Sequence, residues 1–224
     1  MLILIASLGR SPGVVTGTID ALIEEGLRPG RVYLATTSDT EIWSHCIPLL
    51  RKEFQENYPN IELREDRICT SRDDIYDEED NAEFMRKAAI VMSQERAANN
   101  DIFISLAGGR KTMSAAMTLL GQLYGVREVL HILVDPELER EGTITTLMKL
   151  PENQARQILH PPPNKRRLVR FPVFATPWKI EQIMKALEDG RSDDQQLNEH
   201  VKKLNPQTRK LLLNTLKEAS RTHI

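Results

Sequence analysis

Apolar and polar positions alternate along this chain in two rhythms. Short apolar runs, such as Leu2 to Ala6, Ile102 to Leu106 and Val129 to Val134, are separated by longer stretches whose apolar residues recur every three or four positions. The first rhythm is that of strands covered on both faces, the second that of amphipathic helices. Read in order, the pattern predicts strands over 2–6, 31–36, 61–69, 101–106 and 128–134. Between them it predicts helices over 14–25, 40–58, 81–99 and 111–124, with Asp39 as the N-cap of the second. Such alternation makes a parallel sheet with helices on both faces. The expected fold class is α/β: a Rossmann-like parallel sheet flanked by helices, with a C-terminal strand-and-helix extension.

The rhythm changes after Asp135. Thr143 to Leu150 and Leu168 to Phe174 read as strands, joined by an extended connection through Pro161-Pro162-Pro163. From Pro177 the chain is polar and helical, over about 178–187, 194–204 and 206–220. Apolar residues Leu197, Val201, Leu204, Leu211, Leu212 and Leu216 stand at helical spacing, which suits packing on the body or on a partner chain. The expected division is a ligand-binding unit over 1–136, a strand-containing extension over 137–176 and a helical tail over 177–224.

Composition narrows the class. The chain has 224 residues, 40% hydrophobic and 28% charged, as an ordinary soluble globular protein does. A net charge of −2 excludes a bulk nucleic-acid coat, so no DNA partner is expected and any nucleic acid must enter a local pocket. Cys46 and Cys69 lack metal-type spacing, which fits a reduced, cytoplasmic setting. The six-residue apolar start is too short for a signal peptide or a membrane span. His45, His131, His160, His200 and His223 form no ligand spacing, so no metal or cofactor is expected. His131, inside an apolar strand, reads as a core residue.

Candidate chemistry concentrates at two strand–turn–helix junctions. The first is Ser7-Leu8-Gly9-Arg10-Ser11-Pro12-Gly13; the second is Ala107-Gly108-Gly109-Arg110-Lys111-Thr112-Met113. In each, glycines let the backbone turn tightly, and the helix that follows directs free N–H groups and its positive dipole end at the turn. Two adjacent cations at a helix start are unfavourable alone, so Arg110 and Lys111 point to an anionic guest. Ser11 with Pro12 also reads as a helix cap, and Thr36, Thr37 and Ser38 lie past another strand end. Neither junction is a Walker A loop or a Gly-x-Gly-x-x-Gly turn. The acidic run Asp73 to Asn81 reads as a solvated loop with Asp80 capping the next helix. Its charge would repel phosphate unless it faces away or frames a base. Lys165, Arg166, Arg167 and Arg170 read as surface charge.

Residues 3–15, the acidic stretch ending Asp80-Asn81 and residues 105–113 together resemble the CRISPR-associated Rossmann fold (CARF) proteins, and among them the small group of CRISPR-associated ring nucleases. The resemblance covers about residues 1–136. It implies a homodimer whose paired pockets bind cyclic oligoadenylate, the second messenger of type III CRISPR systems, and cut it. It places the binding loops on Ser7–Gly13 and Gly108–Met113, and catalysis on Ser11 with Lys111 or Arg110. The expected ligand contacts are Leu8, Gly9, Arg10, Ala107, Gly108, Gly109, Thr112 and Met113, joined by Thr36 and Thr37 from their place past a strand end. The expected reaction is metal-independent attack by a ribose 2′-hydroxyl, giving linear oligoadenylate with a 2′,3′-cyclic phosphate. A ring of four adenylates is favoured over six. The alternative is a CARF sensor that binds the ring without cutting it and acts on a partner or DNA through the helical tail.

Overall fold

The computed structural model describes residues 1–174, 178–190 and 192–221. The tail's start at Pro177, the boundary near 176, His223 and Ile224 lie outside the described residues. Six strands form one sheet: β1 (Leu2–Ser7), β2 (Arg31–Thr36), β3 (Glu62–Cys69), β4 (Asp101–Ser105), β5 (Glu128–Val134) and β6 (Arg166–Phe171). Their order is β3-β2-β1-β4-β5-β6. The first five are parallel, and β6 closes the edge antiparallel to β5. The order of strands reverses between β1 and β4, where Ala6 pairs with Ser105. In sheets of this topology ligands bind beyond the carboxyl ends of the strands at that reversal.

Four helices connect the parallel strands: α1 (Gly13–Glu24), α2 (Ile47–Asn57), α3 (Glu78–Ala97) and α4 (Lys111–Tyr124), with a π-helical turn, Ile42–Cys46, leading into α2. Side chains alternate faces along β1 with the strand's period of two. Leu4 and Ala6 pack with Val15, Ile19, Leu22, Leu50 and Phe54 of α1 and α2. Ile3 and Ile5 pack with Phe84, Met92, Met117 and Leu120 of α3 and α4. Each fully buried aliphatic side chain contributes about 1.5–3 kcal/mol, so β1, buried on both faces, is fixed firmly beneath the site. β3 at the opposite edge carries the alternating charges of Glu62, Arg64, Asp66 and Arg67, a composition that discourages edge pairing.

Residues 143–150 depart from the strand expected there. They belong to a helical insert, α5 (Pro136–Glu141), α6 (Ile144–Leu147) and α7 (Glu152–Leu159). The run Ile144-Thr145-Thr146-Leu147 has β propensity, but Ile144 and Leu147 are buried as one helical turn. Burial outweighs the propensity of three or four residues. The tail forms α8 (Ile180–Asp189), α9 (Gln195–Lys203) and α10 (Pro206–Arg221). Ile183, Leu187, Leu197, Val201 and Leu216 join the core on the α3–α4 face, so the tail packs on the body.

Candidate functional site

The carboxyl ends of β1 and β4 each run into a glycine turn, and the two turns touch through their backbones. A Cβ on Gly9 would lie 3.0 Å from the Gly109 nitrogen, and one on Gly108 only 2.3 Å from the Ser7 carbonyl oxygen. Gly109 has φ +75°, the left-handed region that glycine enters without strain. Hydrogen bonds hold this contact from below. The Ser7 hydroxyl donates to the Ser105 carbonyl at 3.0 Å, and the Leu8 amide donates to the Ala35 carbonyl at 2.8 Å. The Thr36 hydroxyl donates to the Leu8 carbonyl at 3.1 Å. Thr36 is therefore fully buried and supports the first turn from beneath rather than facing the opening.

Above the turns lies a cleft of about 310 Å³ lined by Leu8, Gly9, Arg10, Thr37, Asp39, Ile42, Asp73, Gly109, Arg110 and Met113. It brings together seven of the expected site residues. Ser11 and Ala107 line a second, smaller cavity of about 150 Å³ with Val14, Ile132, Leu138 and Ile158, roofed by the insert. The insert is tied to the first turn by the Ile144 amide, which donates to the Arg10 carbonyl at 2.7 Å. Ser11 does not cap α1 with its side chain: Pro12 occupies the N-cap position.

α4 starts at the second turn. Arg110 is its N-cap residue in extended conformation, and the Arg110 amide donates to the Met113 sulfur at 3.3 Å. The first turn of α4 holds no acidic residue. Lys111 and Thr112 are solvent-exposed at the first and second helical positions, beside the N–H groups that the helix leaves unpaired. Lys111 makes no ion pair among the described residues, and these N–H groups with Lys111 form an anion-attracting point.

The arginines, by contrast, are already paired. Arg10 Nη2 lies 2.9 Å from Asp39 and its Nη1 3.1 Å from Glu41. Hydrogen bonding to Asp39 raises the Arg10 pKa. Arg110 engages Asp74 with two nitrogens, Nε at 2.8 Å from Oδ1 and Nη2 against Oδ2. Three cations thus face four carboxylates, counting Asp73.

Asp39 was legible as a cap, since its carboxylate accepts from the Glu41 amide at 2.8 Å. Its second role, beside Arg10, follows from its place past the end of β2. The acidic run corrects the sequence reading. Asp77, not Asp80, caps α3, accepting from the Glu79 and Asp80 amides. Asp80 is buried and accepts from Arg72 at 3.1 Å and from the Tyr76 amide at 2.9 Å. The segment before it is no free loop. Thr37 donates to the Asp73 carbonyl at 2.9 Å, and Glu83 binds the Ser71 amide and hydroxyl. Despite partial burial, Lys87 and Ser71 hold the Glu83 carboxyl down to about 2.

His131, expected in the core, is instead half-buried and lines the smaller cavity with Ser11. Burial pushes the Cys46 thiol up to about 12 and raises that of Cys69, so neither presents a ready thiolate. Among the described residues no group of His, Cys, Asp and Glu is placed to hold a metal ion, and no helix is long and apolar enough to cross a membrane. His160, away from the cleft, bridges Asp20 and Glu53 at 2.9 Å each. Arg166, expected on the surface, is buried against Asp20 and Glu24 beside it.

Comparison with known proteins places this geometry in context. The sequence model of the CRISPR-associated protein NE0113 family matches residues 11–206. The CRISPR system ring nuclease SSO2081 of Saccharolobus solfataricus is 28% identical over 160 residues, covering 70% of this chain and 85% of that protein. Among solved structures, Csm6 of Enterococcus italicus bound to cyclic hexa-2′-fluoro-hexa-dAMP aligns with a TM-score of 0.54 at 17% sequence identity. That alignment covers 99% of this chain and 55% of the Csm6 chain, so the chain spans about half the length of that protein and shares its fold.

Proposed function

The chain belongs to the CRISPR-associated NE0113 family, and on that premise we propose that it is a ring nuclease that binds cyclic oligoadenylate across a homodimer and opens it. The observation that carries this reading is the backbone contact of Gly9 with Gly109, which sets two anion-seeking turns side by side at the strand-order reversal. The likeness to a named ring nuclease supports the same class of substrate. The ligand-binding unit is 1–136, with 137–176 as an extension and 177–224 as a helical tail.

The ring proposed is cyclic tetra-adenylate. A closed ring of an even number of nucleotides can carry two-fold symmetry, and a C2 dimer presents the same turn twice. In each protomer one phosphate would meet Lys111 and the N–H groups of the first turn of α4, with Thr112 adding a hydroxyl. Arg10 and Arg110, although paired, keep N–H groups that their carboxylates do not use. Thr37, Gly9, Gly108 and Met113 would shape the cleft wall, and Ser11 with Ala107 would meet the ribose or base reaching the smaller cavity.

The reaction follows from the groups at hand. A ribose 2′-oxygen attacks the adjacent phosphorus, the 2′ proton passes to solvent, and the 5′-oxygen leaves and takes up a proton. A 2′,3′-cyclic phosphate remains on the linear product. The cleft carboxylates of Asp39 and Asp73 are engaged by Arg10 and Tyr76, so in this reading rate comes from alignment and charge. Ideal alignment supplies about 7–11 kcal/mol. Lys111 facing the equatorial oxygens contributes about 3–4 kcal/mol, the worth of a well-placed donor.

Incubation of the purified protein with labelled cyclic tetra-adenylate, with and without EDTA, tests the proposal. The expected result is linear product with a cyclic phosphate end, formed equally in both. Retention of intact ring would make the protein a sensor; loss of activity in EDTA would refute the metal-independent route. A parallel arm with cyclic hexa-adenylate tests ring size, since faster opening of the larger ring would overturn the choice of four.

A further inference from the structure

The segment between β3 and α3 is the feature the proposed reaction has not used. It runs from Ser71 to Asp77, from the far end of the sheet to the mouth of the cleft. It is anchored at both ends. Glu83 of α3 takes the Ser71 amide at 3.0 Å and the Ser71 hydroxyl at 2.8 Å, and Asp80 of α3 takes the Tyr76 amide at 2.9 Å. Its middle is braced as well. The Thr37 hydroxyl donates to the Asp73 carbonyl, the Tyr76 hydroxyl donates to the Asp73 carboxylate at 3.1 Å, and the Arg72 guanidinium lies 4.6 Å from the Tyr76 ring centre. From this braced segment Asp74 reaches across to Arg110.

The contact is two-pronged. The Nε and Nη2 groups of Arg110 face the two oxygens of Asp74, a geometry that fixes the guanidinium plane as well as its position. Among the described residues its far edge, Nη1 and the second Nη2 hydrogen, has no other partner and is open to an anion. The Asp74 side chain is 19% exposed and that of Arg110 65%, so the anchor is sheltered and the arginine is not. Asp74 also accepts from the Ile75 amide at 2.8 Å, which locks the carboxylate itself. Without Asp74, Arg110 would be a long exposed side chain free to sample many rotamers.

We infer that Asp74 is a positioning residue for the ring-opening reaction: it holds the guanidinium of Arg110 in the one orientation in which its free edge meets the scissile phosphate. This rests on the ring-nuclease reading. It predicts a split that a structural role would not produce. Removing the negative charge beside the cleft favours binding of a polyanion, while freeing Arg110 loses alignment.

The test is Asp74→Asn in the full chain. Asparagine keeps an acceptor for the Ile75 amide but cannot present two charged oxygens to Arg110. Single-turnover opening of cyclic tetra-adenylate is expected to slow by roughly 10- to 100-fold, the scale set by a small misplacement of a catalytic group. The dissociation constant, measured by calorimetry with the same ring, is expected to stay equal or tighten. Asp74→Asn added to Arg110→Ala is expected to slow the reaction no further, because the group it positions is gone. Opening by Asp74→Asn at or above the wild-type rate would overturn the inference. So would joint loss of binding and rate with a lowered melting temperature, or full additivity in the double variant. An inactive wild-type protein would instead refute the ring-nuclease reading itself, which the wild-type arm reports separately.

Discussion

Gly108→Ala probes the geometry on which the site depends. A Cβ at 108 would lie 2.3 Å from the Ser7 carbonyl oxygen, 3.0 Å from the Ser7 carbonyl carbon and 3.1 Å from the Leu8 Cα. All three are backbone atoms, and none can swing aside as a side-chain tip would. Ser7 is itself held by its hydroxyl bond to Ser105, and Leu8 by its amide bond to Ala35. To reach ordinary contact the two turns must separate by about 1 Å. Overpacking of this kind costs about 1–3 kcal/mol of stability, or roughly 2–12 °C in melting temperature for a chain of this length. A displacement of about 1 Å between catalytic groups costs on the order of 100-fold in rate, or about 2.7 kcal/mol of transition-state stabilisation. The expected outcome is a folded protein that melts a few degrees lower and opens cyclic tetra-adenylate about 100-fold more slowly in single-turnover assays. Unchanged rate in a variant with lowered melting temperature would refute the reasoning, since the turns would then have parted without consequence for the chemistry.

Lys111→Ala is expected to slow ring opening by about 100- to 1,000-fold with little change in melting temperature, because Lys111 is exposed and makes no ion pair among the described residues; a change under threefold in the same assay would remove Lys111 from the reaction. Ser11→Ala is expected to slow single-turnover opening markedly without unfolding the protein, since its side chain does not cap α1, and wild-type kinetics would discard its role. His160 predicts a pH effect on stability: burial lowers its pKa, but the hydrogen bonds to Asp20 and Glu53 outweigh this and raise it above 6.5. Its stabilisation is complete below the unfolded value of about 6.5 and is lost as pH rises through the raised folded value. Melting temperatures of wild type and His160→Gln should therefore converge as pH rises past neutrality; parallel profiles would contradict the account.

Much of the scaffold was legible because the chain's periods are clean. The buried strands of β1, β4 and β5 read directly, and the boundaries of α4 and β5 coincide with those expected. The glycine pairs marked the turns because a Cβ at Gly108 would collide with the Ser7 carbonyl and one at Gly9 would crowd the Gly109 backbone. What stayed hidden depended on distant partners. Ile144-Thr145-Thr146 looks like strand, and it is the joint burial of Ile144 and Leu147 that favours a helical turn. Asp74 is 36 residues from Arg110, and no local pattern announces their pairing. His160 and Asp20 are 140 residues apart, so the buried bridge could not be told from an idle histidine. The acidic run carried a legible sign but not a direction, since charge alone does not say which way a segment faces.

Isothermal titration of the purified protein with cyclic tetra-adenylate, using the Lys111→Ala variant to hold the ring intact, goes straight to the shared cradle. The account predicts heat with one ring bound per two chains, and a dimer by sedimentation under the same conditions. Absence of heat from both Lys111→Ala and wild type, or one ring per chain in a monomer, would contradict it.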